Sequence, residues 1–234
     1  MSTVLRQRPA ARVARSWLAL GAVVAHVLFV GGWLLAGAIE GHGYSVGRHD
    51  ISDLAALTAH HAWLPRTTAG LGGALTLAFA VWALRPSLTA AGLRRPVSPW
   101  LVALSLPALD NLGDAFFRLD CRAADAGCSA SHAAASWHGK AHIAVFVLAA
   151  VATIIAPFAL AHRMQQLDGW RDLARPARVF GVLVIVLLVG SGALSGTGAQ
   201  GASQRVAAVL IPLGVIVLAL RVMRLAERER SARR

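Results

Sequence analysis

Two histidines stand four residues apart in "SWHGKAH", residues 136–142. A helix puts such a pair on one face, so His138 and His142 share a stripe. Two imidazoles at that spacing can both ligate zinc, as in the H-x-x-x-H half of metalloprotease sites. His60, His61 or Asp120 could complete a ligand set, and zinc is the metal such a set would take. Ser52, Asp53 and Asp114 are then the groups available to polarise a substrate or its attacking water. The chemistry would be cleavage of a lipid amide or ester by metal-bound hydroxide. One feature counts against it: Gly139 and Lys140 stand between the rings, where the metalloprotease motif carries its glutamate.

The competing reading is non-enzymatic and is preferred here. The same histidines and carboxylates would form a polar pocket in a lipid-binding, sensing or structural membrane protein. Histidine is the side chain that ordinarily titrates near physiological pH, so such a pocket could respond to protons. Whether the protein is an enzyme is left open by these residues alone. A haem held between helices would need a partner for His26, and none stands at its depth.

The elements that must position these groups are apolar spans. The chain is 56% hydrophobic and 15% charged, with a mean hydropathy of +0.59. Soluble domains carry about 25% charged residues. A membrane span needs about 20 apolar residues, and six segments qualify: Trp17 to Ile39, Thr67 to Leu84, Val97 to Phe117, His138 to Leu160, Val179 to Ser195, and Arg205 to Met223. The expectation is an all-α, six-helix transmembrane bundle over residues 17–224, between a basic segment at 1–16 and a basic tail at 225–234. The first span is too long for a signal-peptide core and reads as an uncleaved helix. Gly70, Gly72, Gly73 and Ala74 give the second span the small face that membrane helices pack through.

The net charge of +12 is read as topology rather than nucleic-acid binding. With these spans, 17 of the 23 basic residues fall on one side. The positive-inside rule then places both termini in the cytoplasm of a plasma (inner) membrane protein. Its partners would be membrane lipids; nothing in the chain suggests nucleic acid, and oligomeric state cannot be read. No repeat or discontinuous helix pair points to a transporter. The segment "MQQLDGWRDLARP" reads as a cytoplasmic surface helix carrying Met164, Leu167, Trp170 and Leu173.

The other side is chemically different. It holds seven of the nine histidines, His42, His49, His60, His61, His132, His138 and His142, and most of the acids. Within its long first loop, "HDISDLAALTAHHAWLP" reads as a short helix capped by Asp50 or Ser52 and ended before Pro65. Cys121 and Cys128 are close in sequence, and outside the cytoplasm such a pair forms a disulfide. Asp110, Asp114 and Arg118 fall at i, i+4 and i+8, and ionisable groups within a span face the bundle or a wet cavity. Asp114 and Arg118 could pair internally. Arg205, the only basic residue at the outer end of the sixth span, calls for a carboxylate, with Asp53 or Asp114 as candidates.

Taken together these features resemble the bacterial membrane family catalogued as domain of unknown function 998. The matching residues are "ISDL" at Ile51 to Leu54, "FFRLDC" at Phe116 to Cys121, "HGKAH" at His138 to His142, and a Gly-rich approach to Gln204 and Arg205. They stand in the family's order. One departure is Arg118-Leu119, where the family's third outer loop places a proline before its acid. The resemblance implies a six-helix integral membrane protein and assigns no activity.

Overall fold

A computed structural model describes residues 9–41 and 43–231, so His42 and the arginines at 6, 8, 233 and 234 lie outside it. Every long element is helical, and no strand occurs among the described residues. The elements are α1 (Pro9–Ile39), α2 (Trp63–Ser87), α3 (Ser98–Ala103), α4 (Trp137–Met164), α5 (Ala174–Ala193) and α6 (Gln200–Ser231). Five of them, all but α3, are long and apolar enough to cross a membrane, and the chain is a membrane protein on that ground.

The third apolar segment is not one helix. α3 stops at Ala103, Ser105 is extended (φ −77°, ψ 168°), and the chain restarts as a π-turn over Leu106–Asp110 and a single α-turn over Asn111–Gly113. The Ser105 hydroxyl bonds back to the Val102 carbonyl at 2.6 Å, which favours stopping the helix there. Pro107 sits in the first turn of the restart, where its missing N–H is not needed. The exposed Leu106 N–H is taken by Thr153 Oγ1 of α4 at 2.9 Å. The expected span from Val97 to Phe117 is therefore a broken segment, wedged between α2 and α4. Apolarity runs straight through the break, so composition alone reads it as continuous.

α2 is the hub, with α1 on one face and the broken segment on another. A Cβ on Gly72 would lie 3.0 Å from the Ala25 carbonyl oxygen of α1. A Cβ on Gly73 would lie 2.3 Å from the Leu112 backbone nitrogen, and one on Gly70 would lie 2.7 Å from Ala115 Cβ. The Gly72 and Gly73 contacts are approaches to backbone, and the Gly70 contact is to the Ala115 methyl; a side chain at any of the three would crowd its neighbour. Ala74, by contrast, is exposed. α2 also begins earlier than its hydropathy suggests: Pro65 lies in its first turn rather than beyond a preceding helix. The short helix expected before it is only a 3-10 turn, Ser52–Ala55, with no side-chain cap.

At the end where α1 begins and α6 finishes, Phe79, Leu84, Leu88, Met164 and Trp170 form the apolar core. Trp170 is 1% exposed, and its Nε1 donates to the Ser87 carbonyl at 3.3 Å. The surface helix expected over this loop is thus replaced by a single 3-10 turn, Arg171–Leu173. A buried tryptophan with an inward hydrogen bond cannot also anchor at the interface.

Candidate functional site

The polar residues gather at the opposite end, as a cap. α6 starts there with Gln200, Gln204 and Arg205, and these three hold the first loop. Arg205 Nη1 donates to the carbonyls of Val46 (2.7 Å), His49 (2.8 Å) and Gly201 (2.9 Å), while Nη2 donates to the Tyr44 hydroxyl. Its guanidinium also lies 5.5 Å from the Trp33 ring. No carboxylate among the described residues bonds it, contrary to expectation; a ring of backbone carbonyls does the same work for a buried cation. Gln204 Oε1 accepts from Ile51 N at 2.5 Å, and Gln200 Nε2 donates to Asp50 at 2.6 Å. A Cβ on Gly201 would lie 2.3 Å from the His49 carbonyl oxygen, so the loop rests directly on the α6 backbone. Burial pushes the Asp50 carboxyl above its ordinary range despite Gln200 and the Arg205 charge. Burial also drives the Tyr44 hydroxyl up to about 12, against the opposing pull of Arg205.

The second part of the cap joins the first loop to the third. Glu40, at the end of α1, is 1% exposed and meets Arg122 Nη1 at 2.5 Å. Arg122 also reaches Asp125 through Nε (2.9 Å) and Nη2 (2.6 Å), a two-pronged carboxylate grip. His60 donates its backbone N–H to Glu40 at 3.0 Å, with its ring Nδ1 3.3 Å from the same oxygen. Asp53, 3% exposed, accepts from Ala123 N at 3.1 Å, and burial raises its carboxyl. Thr58 donates to Asp125, and Leu57 N to the Leu119 carbonyl. Partial burial alone would raise Asp125, but Arg122, Thr58 and the Arg122 N–H together bring it down to about 2. Cys121 and Cys128 are joined by a disulfide around this knot.

His142 lies deeper. Its Nδ1 is 3.1 Å from Asp114 Oδ1, and the two side chains are 10% and 16% exposed. Asp110, one turn below Asp114, shares their electrostatic field, and its Oδ1 is buried with no hydrogen-bond partner among the described residues. Arg118 lies past the end of this helical turn and makes no ion pair among the described residues, so the expected Asp114–Arg118 pair is replaced by Asp114–His142. His138 stacks on Trp137, ring centroids 3.8 Å apart, with Phe117 at 6.4 Å. Asp120 is occupied by Ser136, accepting from its N–H (2.7 Å) and hydroxyl (2.6 Å), and these bonds lower its pKa. Ser136 in turn accepts from Gly139 N at 3.2 Å and caps α4.

The sequence-derived candidates therefore part into several sites. His142 and Asp114 meet; His60 belongs with Glu40 and Arg122; Asp120 serves the α4 cap; Asp53 ties the two loops; and Ser52 opens the 3-10 turn. Among the described residues no three His, Cys, Asp or Glu side chains are grouped to hold a metal ion. His26 is 4% exposed and neither ring nitrogen has a hydrogen-bond partner among the described residues.

Glu40 and Arg122 were not singled out from sequence, although they form the most buried ion pair in the cap. A faint signal existed: Glu40 is the first acid in the chain and ends its first apolar run. Tyr44, the chain's only tyrosine, and Gln200 gave no signal at all.

A family model matches residues 23–221; its description is "Protein of unknown function (DUF998)". No curated protein and no solved structure matches the chain.

Proposed function

This chain belongs to the DUF998 family, described as being of unknown function, and we propose that it is a non-enzymatic sensing protein of the plasma (inner) membrane whose His142–Asp114–Asp110 site takes up and releases a proton. Six membrane segments, with the broken third counted as one and both termini cytoplasmic, are part of this reading. The 17-to-6 division of basic residues supports that orientation.

The observation that carries the proposal is the 3.1 Å approach of His142 Nδ1 to Asp114 Oδ1 in nearly buried surroundings. Ionisable groups at membrane depth are costly and are functional candidates by default. Histidine changes charge near physiological pH. A second carboxylate, Asp110, makes the arrangement sensitive to how many protons three groups share. The cap above it is cross-linked by the Cys121–Cys128 disulfide and the Glu40–Arg122–Asp125 ion pairs, so a change of charge beneath would be felt by the first and third loops. The metal-hydrolase alternative is not taken further, because its four ligands do not come together.

The test is NMR of the purified protein with labelled histidine. The His142 ring should change protonation state between about pH 5 and 8, and Asp114→Asn should move that midpoint by about a unit or more. A His142 ring that keeps one state across the window would overturn the proposal. So would a midpoint indifferent to Asp114.

A further inference from the structure

A cleft of about 350 Å³ lies between the broken third segment, α4, α5 and α6. Its walls are apolar apart from Ser105 and Thr153. Both hydroxyls donate within their own helices, Ser105 to Val102 and Thr153 to Ala149. A polar ligand would find no free partner there, whereas hydrocarbon would. The one aromatic wall, Phe180, packs against a glycine: a Cβ on Gly214 would lie 2.6 Å from its ring.

The cleft does not end in apolar surface. A second opening shares Pro176, Phe180 and Leu183 with it and adds Arg175. Arg175 stands exposed at the start of α5, with no hydrogen-bond or ion-pair partner among the described residues. Three arginines at this end are engaged: Arg171 lies 3.1 Å from Asp168, Arg221 pairs with Asp172, and Arg163 donates to the Leu88 carbonyl; Arg178, Arg224 and Arg228 are exposed like Arg175, but only Arg175 lines the opening. From Pro176 to Val184 the cleft follows α5 for about 12 Å at the helical rise. That is close to the hydrocarbon half-thickness of one leaflet, about 15 Å.

We propose that this cleft binds one acyl chain of an anionic glycerophospholipid, with the lipid phosphate held at Arg175. An apolar trough one leaflet deep, running to a single unpaired cation at its rim, matches the two ends of that molecule. The site is independent of the His142–Asp114 reading and lies at the other end of the bundle.

The experiment is native mass spectrometry of the detergent-purified full chain, titrated with palmitoyl-oleoyl phosphatidylglycerol or with phosphatidylcholine of the same chains. Wild type should hold one phosphatidylglycerol in clear preference to phosphatidylcholine. Arg175→Gln should cut that preference about fivefold, the share of one basic residue at an anionic surface, and leave phosphatidylcholine adducts unchanged. Ala177→Phe, which fills the cleft, should reduce both adducts. Arg94→Gln, at an exposed loop arginine near the same end, should change nothing. Equal retention of the two lipids by wild type would overturn the proposal, as would equal losses from Arg175→Gln and Arg94→Gln. A wild-type dimer that Ala177→Phe turns into monomer, without any lipid preference, would show that a second copy fills the cleft, and would overturn it too.

Discussion

The two ends of the bundle differ in how many of their arginines face solvent. At the end where α1 begins, Arg171, Arg175, Arg178, Arg224 and Arg228 are exposed, and the Arg171–Asp168 pair is peripheral, with side chains 67% and 96% exposed; Arg15 and Arg163 alone are buried there among the described residues. Cohesion there comes from Phe79, Leu84, Met164 and Trp170. At the cap end, basic residues are few, and two of them, Arg122 and Arg205, are buried and multiply bonded. Numbers of charges matter for the exposed arginines of the first end, whose sum biases orientation. Partners matter at the second, where a buried charge left alone costs far more than an exposed pair contributes.

The comparison can be broken most directly with matched substitutions. Arg122→Ala leaves Glu40 buried without its arginine, with only the His60 contacts remaining, and should cost about 3–5 kcal/mol of unfolding free energy. Arg171→Ala, the same chemical change at the other end, should stay within about 0.5 kcal/mol. Unfolding of both variants in the same detergent measures the contrast; equal losses would abolish it. The disulfide comes next in size. Its 7-residue separation closes a small ring, and replacing Cys121 and Cys128 with serine should cost about 2–3 kcal/mol in the chain-entropy view. The loss should appear as earlier opening of the third loop in hydrogen exchange, with Trp170 and its surroundings unaffected.

The smallest effect sharpens the comparison within the cap. Asp125 is lowered to about 2, so its contribution is complete above about pH 4, the ordinary carboxyl range, and is lost as pH falls toward 2. Asp50 and Asp53 are raised by burial. Their folded forms take protons more readily than their unfolded forms, so their contribution grows as pH falls through their folded values. Asp125→Asn should therefore flatten the acid-side loss of stability below pH 4, while Asp53→Asn should relieve a cost near neutrality if the Ala123 contact survives. Melting midpoints from pH 2 to 7 measure both. An unchanged acid limb in Asp125→Asn would show that Arg122 does not hold this carboxylate in solution.

How much of this was legible beforehand varies by element. The apolar runs foretold six long helices, and five of them form, because a membrane segment must satisfy its backbone internally and that demand is written in length and hydropathy. The break at Ser105 was hidden, since Leu104, Leu106 and Pro107 keep the run apolar while a hydroxyl on another helix, Thr153, completes the interruption. The disulfide was legible from proximity in sequence. The His142–Asp114 contact was half legible: both residues stood out, but Arg118 looked the nearer partner on helical spacing that ends at Gly113.

By itself the sequence determined class, approximate span boundaries, the segregation of histidines and acids to one end, and the cysteine pair, because these depend on local composition and short separations. Tertiary structure alone decided which charge meets which. Glu40 finds Arg122 across 82 residues, and Arg205 finds the carbonyl oxygens of Val46 and His49 across 159 and 156. Such pairings depend on the rotation and depth of separate helices, set by close approaches at Gly73 and Gly201 whose partners, Leu112 and His49, no pattern along the chain records.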